Sequence, residues 1–325
     1  MHMNDALISA SVALPLIGVA AGAIVMSCYK VQQEVQVNSK LVVMMAVLGA
    51  FVFAVQMVNF AIPGTGASGH MAGSILLSAL LGPFAGFVVI SSVLIIQALF
   101  FADGGLLALG ANIVNVGLIP CFLIYPLIWW PLTSLKTGKL FLFIASITAG
   151  VLMMVLGATG IAVMTHVSGI THLPLVEFLA LIVPIHLVIG LFEGVITATI
   201  LHFALTNDDI KQFRPMLSAE RQSRFTSVML LCSLIVGGML SLFASGNPDG
   251  MEWTVEKMAH NSLITFAPEP VNDVQQSLSF FSDYDLSGKF PVMETSMAGI
   301  FGSVCTLVFI MSLFYLIKFI SKRDS

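Results

Sequence analysis

Met71-Ala-Gly-Ser-Ile-Leu-Leu-Ser-Ala-Leu-Leu81, stopped by Gly82-Pro83, is the stretch on which the fold turns. Its eleven residues carry no charge and, apart from Ser74 and Ser78, are apolar or glycine, yet as a helix they cover only roughly 16 Å of a hydrocarbon core about 30 Å thick. A helix of half length cannot end in lipid, because its free backbone groups need partners. It has to lie inside protein. Around it stand full-length apolar runs near 6–28, 41–60, 84–101, 106–130, 140–164, 178–203, 226–245 and 297–317.

Whether 71–81 counts as a crossing is decided by charge. Lys30, Lys40, Lys136, Lys139, Lys211, Arg214, Arg221, Arg224, Lys318, Lys322 and Arg323 share one side under a single topology, which leaves Lys257 and Lys289 on the other. By the positive-inside rule the shared side is cytoplasmic, with the N-terminus outside and the C-terminus inside. Lys40 and Lys136 then need an even number of crossings between them. The runs 41–60, 84–101 and 106–130 supply three, so 71–81 is the fourth and the chain has nine segments. Broken helices of this kind often build substrate sites in transporters.

Composition agrees. Of 325 residues, 58% are hydrophobic and 9% charged, where a soluble domain carries about 25% charged residues. An all-α polytopic membrane protein follows, and no nucleic-acid partner is expected. The run from Ala6 to Cys28 is too long for a signal-peptide core and lacks a basic start, so it reads as a retained first span. Cys28, Cys121, Cys232 and Cys305 are scattered through apolar segments and show no metal or disulfide spacing.

The composition breaks at 205–225, which holds Asp208, Asp209, Lys211, Arg214, Glu220, Arg221 and Arg224. The expected organisation is a seven-segment membrane unit at 1–206, a cytoplasmic linker at 207–225, and a two-span unit at 226–325. The last carries an extracytoplasmic loop at 246–296 that is rich in acids and aromatics.

Familiar enzyme signatures are missing. There is no GxxxxGK[ST], so ATP cannot be used through a P-loop, and neither HExxH nor GxSxG occurs. Metal chemistry has better material. The amine of Met1, the amide nitrogen of His2 and His2 Nδ1 can close two fused, nearly planar chelate rings on one ion. A fourth nitrogen would complete a square, a geometry that suits Ni(II) or Cu(II). His70 ends the loop Ile62-Pro-Gly-Thr-Gly-Ala-Ser-Gly-His70 on the same expected face as Met1, and its glycines let backbone approach a buried object.

Other residues have two readings each. Ala46, Ala50 and Ala54 line one helix face, either for internal packing or for docking a second membrane protein. Asn112 and Asn115, three apart, brace a metal ligand or each other's helices. His186 and Glu193 share a face of the seventh span. Glu193, an acid deep in a span, is a functional candidate by default; otherwise it is a buried structural group bonded to Thr197. His166 and His172 read as loop histidines.

Several stretches together resemble the substrate-binding M component of nickel and cobalt energy-coupling-factor transporters. They are Met1-His2, Phe53-Ala-Val-Gln-Met-Val-Asn-Phe60, Gly69-His70, Leu81-Gly-Pro83, Asp103-Gly-Gly105, Gly110-Ala-Asn112, Asn115 and His186…Glu193-Gly194…Thr197. Asn247-Pro-Asp-Gly-Met-Glu252 resembles the loop of the small N component, so the chain looks like an M–N fusion. Asp5 is followed by Ala6, where family members commonly carry glycine.

The resemblance implies a metal held by Met1, His2 and His70; Asp5, Asn112, Asn115, His186 and Glu193 are the supporting candidates. It also implies that Ala46, Ala50 and Ala54 dock a membrane coupling (T-type) protein, and that a pair of ATPase subunits drives uptake across the bacterial inner membrane. The cargo would be Ni²⁺, with Co²⁺ as the alternative, and the chain itself would not be an enzyme. Two rival readings are a secondary transporter that uses Glu193 as proton carrier and a membrane metal sensor.

Overall fold

The computed structural model describes residues 2–38, 40–135, 138–171, 174–210, 212, 219–260, 271–284 and 294–323. Met1, Lys136, His172, Lys211, Arg214 and Lys289 lie outside the described residues.

The chain folds into helices α1 (Ala10–Val37), α2 (Lys40–Gln56), α3 (Ser74–Leu81), α4 (Pro83–Phe100), α5 (Leu109–Leu135), α6 (Lys139–Ser168) and α7 (Leu175–Ala204). After these come α8 (Ala219–Gly238), the short helices α9 (Gly250–His260) and α10 (Asn272–Leu278), and α11 (Glu294–Arg323). Among the described residues seven helices are long and apolar enough to cross a bilayer. With the shorter α2 and the half-length α3 they make the nine expected segments.

Between α2 and α3 a small hairpin pairs β1 (Phe60–Ala61) with β2 (Ser68–Gly69). Helix α2 stops at Gln56, four residues before the end of the apolar run, because the chain turns there into the hairpin.

Helix α3 is buried along its whole length. Gly82, at φ +81°, breaks it from α4, and Pro83 starts α4 at the position where a missing N–H costs nothing. The two then pack backbone to backbone: a Cβ on Gly86 would stand 2.9 Å from Ser78 N. The amides at the start of α3 find their acceptor on α7. Glu193 Oε2 accepts from Ala72 N and Oε1 from Gly73 N, both at 2.9 Å. Gly73 is the N-cap and Ala72 precedes it, so neither donor has a partner within the helix.

Helix α7 reaches this position by lying against α6 through glycines. A Cβ on Gly194 would be 2.3 Å from Ile147 Cα, the close approach that small residues allow between membrane helices. Helix α5 is widened into π-helical turns from Ile113 through Trp129, a stretch that contains Pro120 and Pro126. Each proline removes a backbone donor and crowds the preceding turn.

The two-span unit corrects one expectation. Ala46, Ala50 and Ala54 are buried, and α8 and α11 of the same chain pack along α2. Ser303 Oγ donates to Ala50 O at 3.1 Å, and a Cβ on Gly237 would sit 3.4 Å from Ala54 Cβ. The alanine face does admit a close helix, but the chain's own second unit fills it. It is not an open docking face for another protein.

Candidate metal centre

The segment after Met1 runs into the bundle rather than over it: Met3, Leu7 and Ile8 are all buried. Asn112 secures it from both sides, since its Oδ1 accepts from Met3 N at 2.8 Å and its Nδ2 donates to Met3 O at 3.0 Å. Gly105 N also donates to Met3 O, at 2.9 Å. Asp5 Oδ1 accepts from Ala108 N at 2.9 Å, and burial raises this carboxyl above its ordinary range. A side chain at Gly105 has no room, because its Cβ would lie 1.8 Å from Asp5 Oδ1. Asn112 is thus a brace of the N-terminal strand. Asn115 is not: its Nδ2 faces Met164 Sδ at 3.7 Å.

This anchoring puts His2 beside His70, with ring centroids 5.6 Å apart. His70 Nδ1 lies 3.2 Å from Met71 O. A carbonyl can only accept, so Nδ1 carries the hydrogen and Nε2 keeps its lone pair. Desolvation, ahead of nearby positive charge, pushes the imidazole down to about 4, so it is neutral at pH 7. A neutral ring whose far nitrogen is tied to a carbonyl is the arrangement of most metal-ligating histidines.

His2 differs from expectation. Its Nδ1 lies 2.8 Å from Asp103 Oδ1, while Tyr284 Oη donates to Asp103 Oδ2. Burial would raise the Asp103 carboxyl, but the His2 imidazole and the Tyr284 hydroxyl outweigh it and hold it at about 2. The ionised carboxylate therefore takes the Nδ1 hydrogen. The nitrogen needed for the amine–amide–imidazole chelate is engaged with protein, and closing that chelate requires the ring to leave Asp103.

His2, His70 and His186 line one cavity of about 10 Å³ together with Gln56, Met154 and Asp249, close to the room that one water-sized species needs. Gln56 is fixed by bonds to Ala72 O and from Gln97, both 2.8 Å long. Among the described residues no three His, Cys, Asp or Glu side chains form a ready metal cage, so a complete site would need donors beyond these side chains. A wider polar chamber, of about 580 Å³, adjoins His2 and His70 and is edged by Asp103, Glu252, Gln275 and Tyr284. His166 is exposed at the end of α6.

The second unit braces the loop that carries His70 and the loop that carries Asp103. Ser68 N donates to Pro248 O and Ser68 Oγ to Asn247 O, each at 2.8 Å, just before His70. Asp249 Oδ1 caps α9 by accepting from Met251 N and Glu252 N at 2.8 Å, and Glu252 returns a bond to Asp249 N at 3.1 Å, a capping box. On the other loop Gln275 Nε2 donates to Gly104 O at 2.6 Å. The Tyr284 ring stacks on Phe101 with centroids 4.9 Å apart. Asp103, Gln275 and Tyr284 carry no site role in the sequence reading, which flagged only the Asp-Gly-Gly stretch and the loop's aromatic content.

Among the described residues stand nine helical segments and a small cavity lined by three histidines, and comparison with known proteins supplies the class, metal transport. The family described as the cobalt uptake substrate-specific transmembrane region, CbiM, matches residues 2–208, well over half of the chain, and the PDGLE domain matches 223–319. The chain belongs to the CbiM family and is an M–N fusion of the nickel/cobalt energy-coupling-factor type, a transport component and not an enzyme.

Two fused relatives align along nearly the whole chain. A putative fused nickel transport protein NikMN of Archaeoglobus fulgidus is 28% identical over 94% of this chain and 96% of its own length. A probable fused nickel transport protein LarMN of Lactiplantibacillus plantarum is 28% identical over 89% and 90%. Among solved structures, a truncated transition metal transporter superposes with a TM-score of 0.53 at 28% identity, over 62% of this chain and 97% of that one.

Proposed function

We propose that this chain is the substrate-capture subunit of an ATP-driven nickel uptake transporter in the bacterial inner membrane. Met1, His2 and His70 take Ni²⁺ from the extracytoplasmic side in a near-planar nitrogen site. A separate membrane coupling protein and a pair of ATPase subunits power its release inward. The observation that carries this reading is the convergence of His2 and His70 on one ion-sized cavity, with the N-terminal strand pinned by Asn112 and Asp5. The fused nickel transport relatives favour nickel; cobalt, named in the family's description, is the alternative cargo. The proton-driven rival would use Glu193, whose two oxygens accept backbone amides at the head of α3, a structural role that accounts for the buried acid without transport.

The test is radiolabelled nickel uptake into cells or proteoliposomes, with and without the coupling protein and ATPases. Uptake should require all partners and persist in the presence of an uncoupler. Transport by this chain alone, abolished by an uncoupler, would overturn the proposal.

Nickel affinity should also rise with pH. Binding displaces a proton from the α-amine, whose ordinary pKa is about 7.7–8.0, and one from the His2 amide. The dependence is therefore steeper below that pKa, where two protons leave, than above it, where only the amide proton does. His70 adds nothing at neutral pH: its neutral form is the ligand, and with its value at about 4 proton competition there begins only as pH falls toward that point. Calorimetry across pH 6–9 in buffers of differing ionisation heat counts the protons; a flat profile would contradict the chelate.

A further inference from the structure

His186 stands apart from the proposed ligand set, yet it is configured like one. It sits on α7 and is buried to 1% exposure. Its Nδ1 donates to Ile182 O at 2.8 Å, which fixes the tautomer and leaves Nε2 as the lone-pair nitrogen. That Nε2 has no hydrogen-bond partner among the described residues. A buried acceptor is rarely left so, and here its ring lines the cavity shared with His2 and His70. Gly250 of the second unit keeps the space beside the ring open, since a Cβ there would lie 3.2 Å from His186 Cε1.

We propose that His186 Nε2 is an apical donor to the divalent ion and sets the discrimination between cobalt and nickel. This rests on the planar nitrogen site proposed above. A planar field from amine, amide and two imidazoles leaves only the direction along the plane's normal for another nitrogen. Low-spin d⁸ Ni(II) has a filled orbital along that direction, which repels a fifth lone pair. Low-spin d⁷ Co(II) holds one electron there and gains from an apical imidazole. The residue therefore favours cobalt selectively, and its removal narrows the chain's choice toward nickel.

The full chain in detergent, loaded with Co(II), supplies the readout by electron paramagnetic resonance. The wild type should show the triplet splitting that a single apical ¹⁴N nucleus imposes. His186→Leu and His186→Gln should lose it, with cobalt affinity falling roughly tenfold further than nickel affinity, the low end of what loss of a supporting group costs a metal site. The glutamine variant can keep the bond to Ile182 O, so it decides the matter if the leucine variant does not fold. A wild type without the triplet, or a triplet that persists in a His186 variant, overturns the inference. His70→Ala separates the two levels: if it leaves both metals bound, the planar site itself is wrong, whereas if it abolishes binding while the triplet survives loss of His186, only the apical role fails.

Discussion

Replacing His70 with alanine is expected to lower the nickel affinity of the purified chain by about 100-fold or more, since loss of even a supporting group costs a metal site roughly 10- to 100-fold. The substitution removes the one proposed ligand that comes from outside the N-terminal chelate. It should do so without unfolding the protein. His70 is only half-buried, and its hydrogen bond to Met71 O is a contact with the next residue. The hairpin that presents it is held by Ser68, through Pro248 and Asn247 of the second unit, and not by the imidazole. Calorimetry with nickel, beside a thermal melt, separates loss of a ligand from loss of the fold. A variant that melts as the parent does and still binds nickel equally would remove His70 from the site.

The second large effect is expected at Glu193, well inside α7 and remote in sequence from the amides it holds. Its two oxygens accept the amides of Ala72 and Gly73. Glu193→Gln keeps one acceptor and aims an NH₂ group at the other amide, so one N–H at the head of α3 is left buried and unpaired, at a cost of about 1–3 kcal/mol. The strand carrying His70 ends at that amide pair. Both thermal stability and nickel affinity should therefore fall, the affinity by roughly tenfold, within the range for groups that orient ligands. A proton carrier would behave otherwise: Glu193→Gln would then leave nickel binding intact and abolish transport alone.

The half-helix was legible because its short run stops at Gly82-Pro83, a signal that does not depend on tertiary contacts. The joint candidacy of His2 and His70 was legible for a related reason. Both residues lie at the same end of the expected topology, and a terminal Met-His has its own chelating chemistry. What escaped were pairings between distant parts of the chain. The bond from His2 to Asp103 spans 101 positions, and that from Tyr284 to Asp103 spans 181. No periodicity records them. Glu193 could be marked as unusual, but its partners are backbone amides, which carry no identity in a sequence.

The alanine face shows a different limit. Spacing by four residues reports that a helix comes close, yet says nothing about whose helix it is; Ser303 and Gly237 of the same chain answer that. In α5, the run 106–130 reads in sequence as one uninterrupted span, and the structure shows its stretch around Pro120 and Pro126 widened into π-helical turns rather than broken.

Because the proposed chelate depends on the amine standing one residue before His2, nickel calorimetry on a chain carrying one additional residue ahead of Met1 tests the central claim most directly. The extension moves the amine out of chelate reach and leaves every side chain in place. Nickel binding should collapse while the melt stays that of the parent, and the parent's nickel-to-cobalt affinity ratio identifies the cargo. Undiminished nickel binding by the extended chain would contradict an amino-terminal site and move the search to His186 and the other histidines.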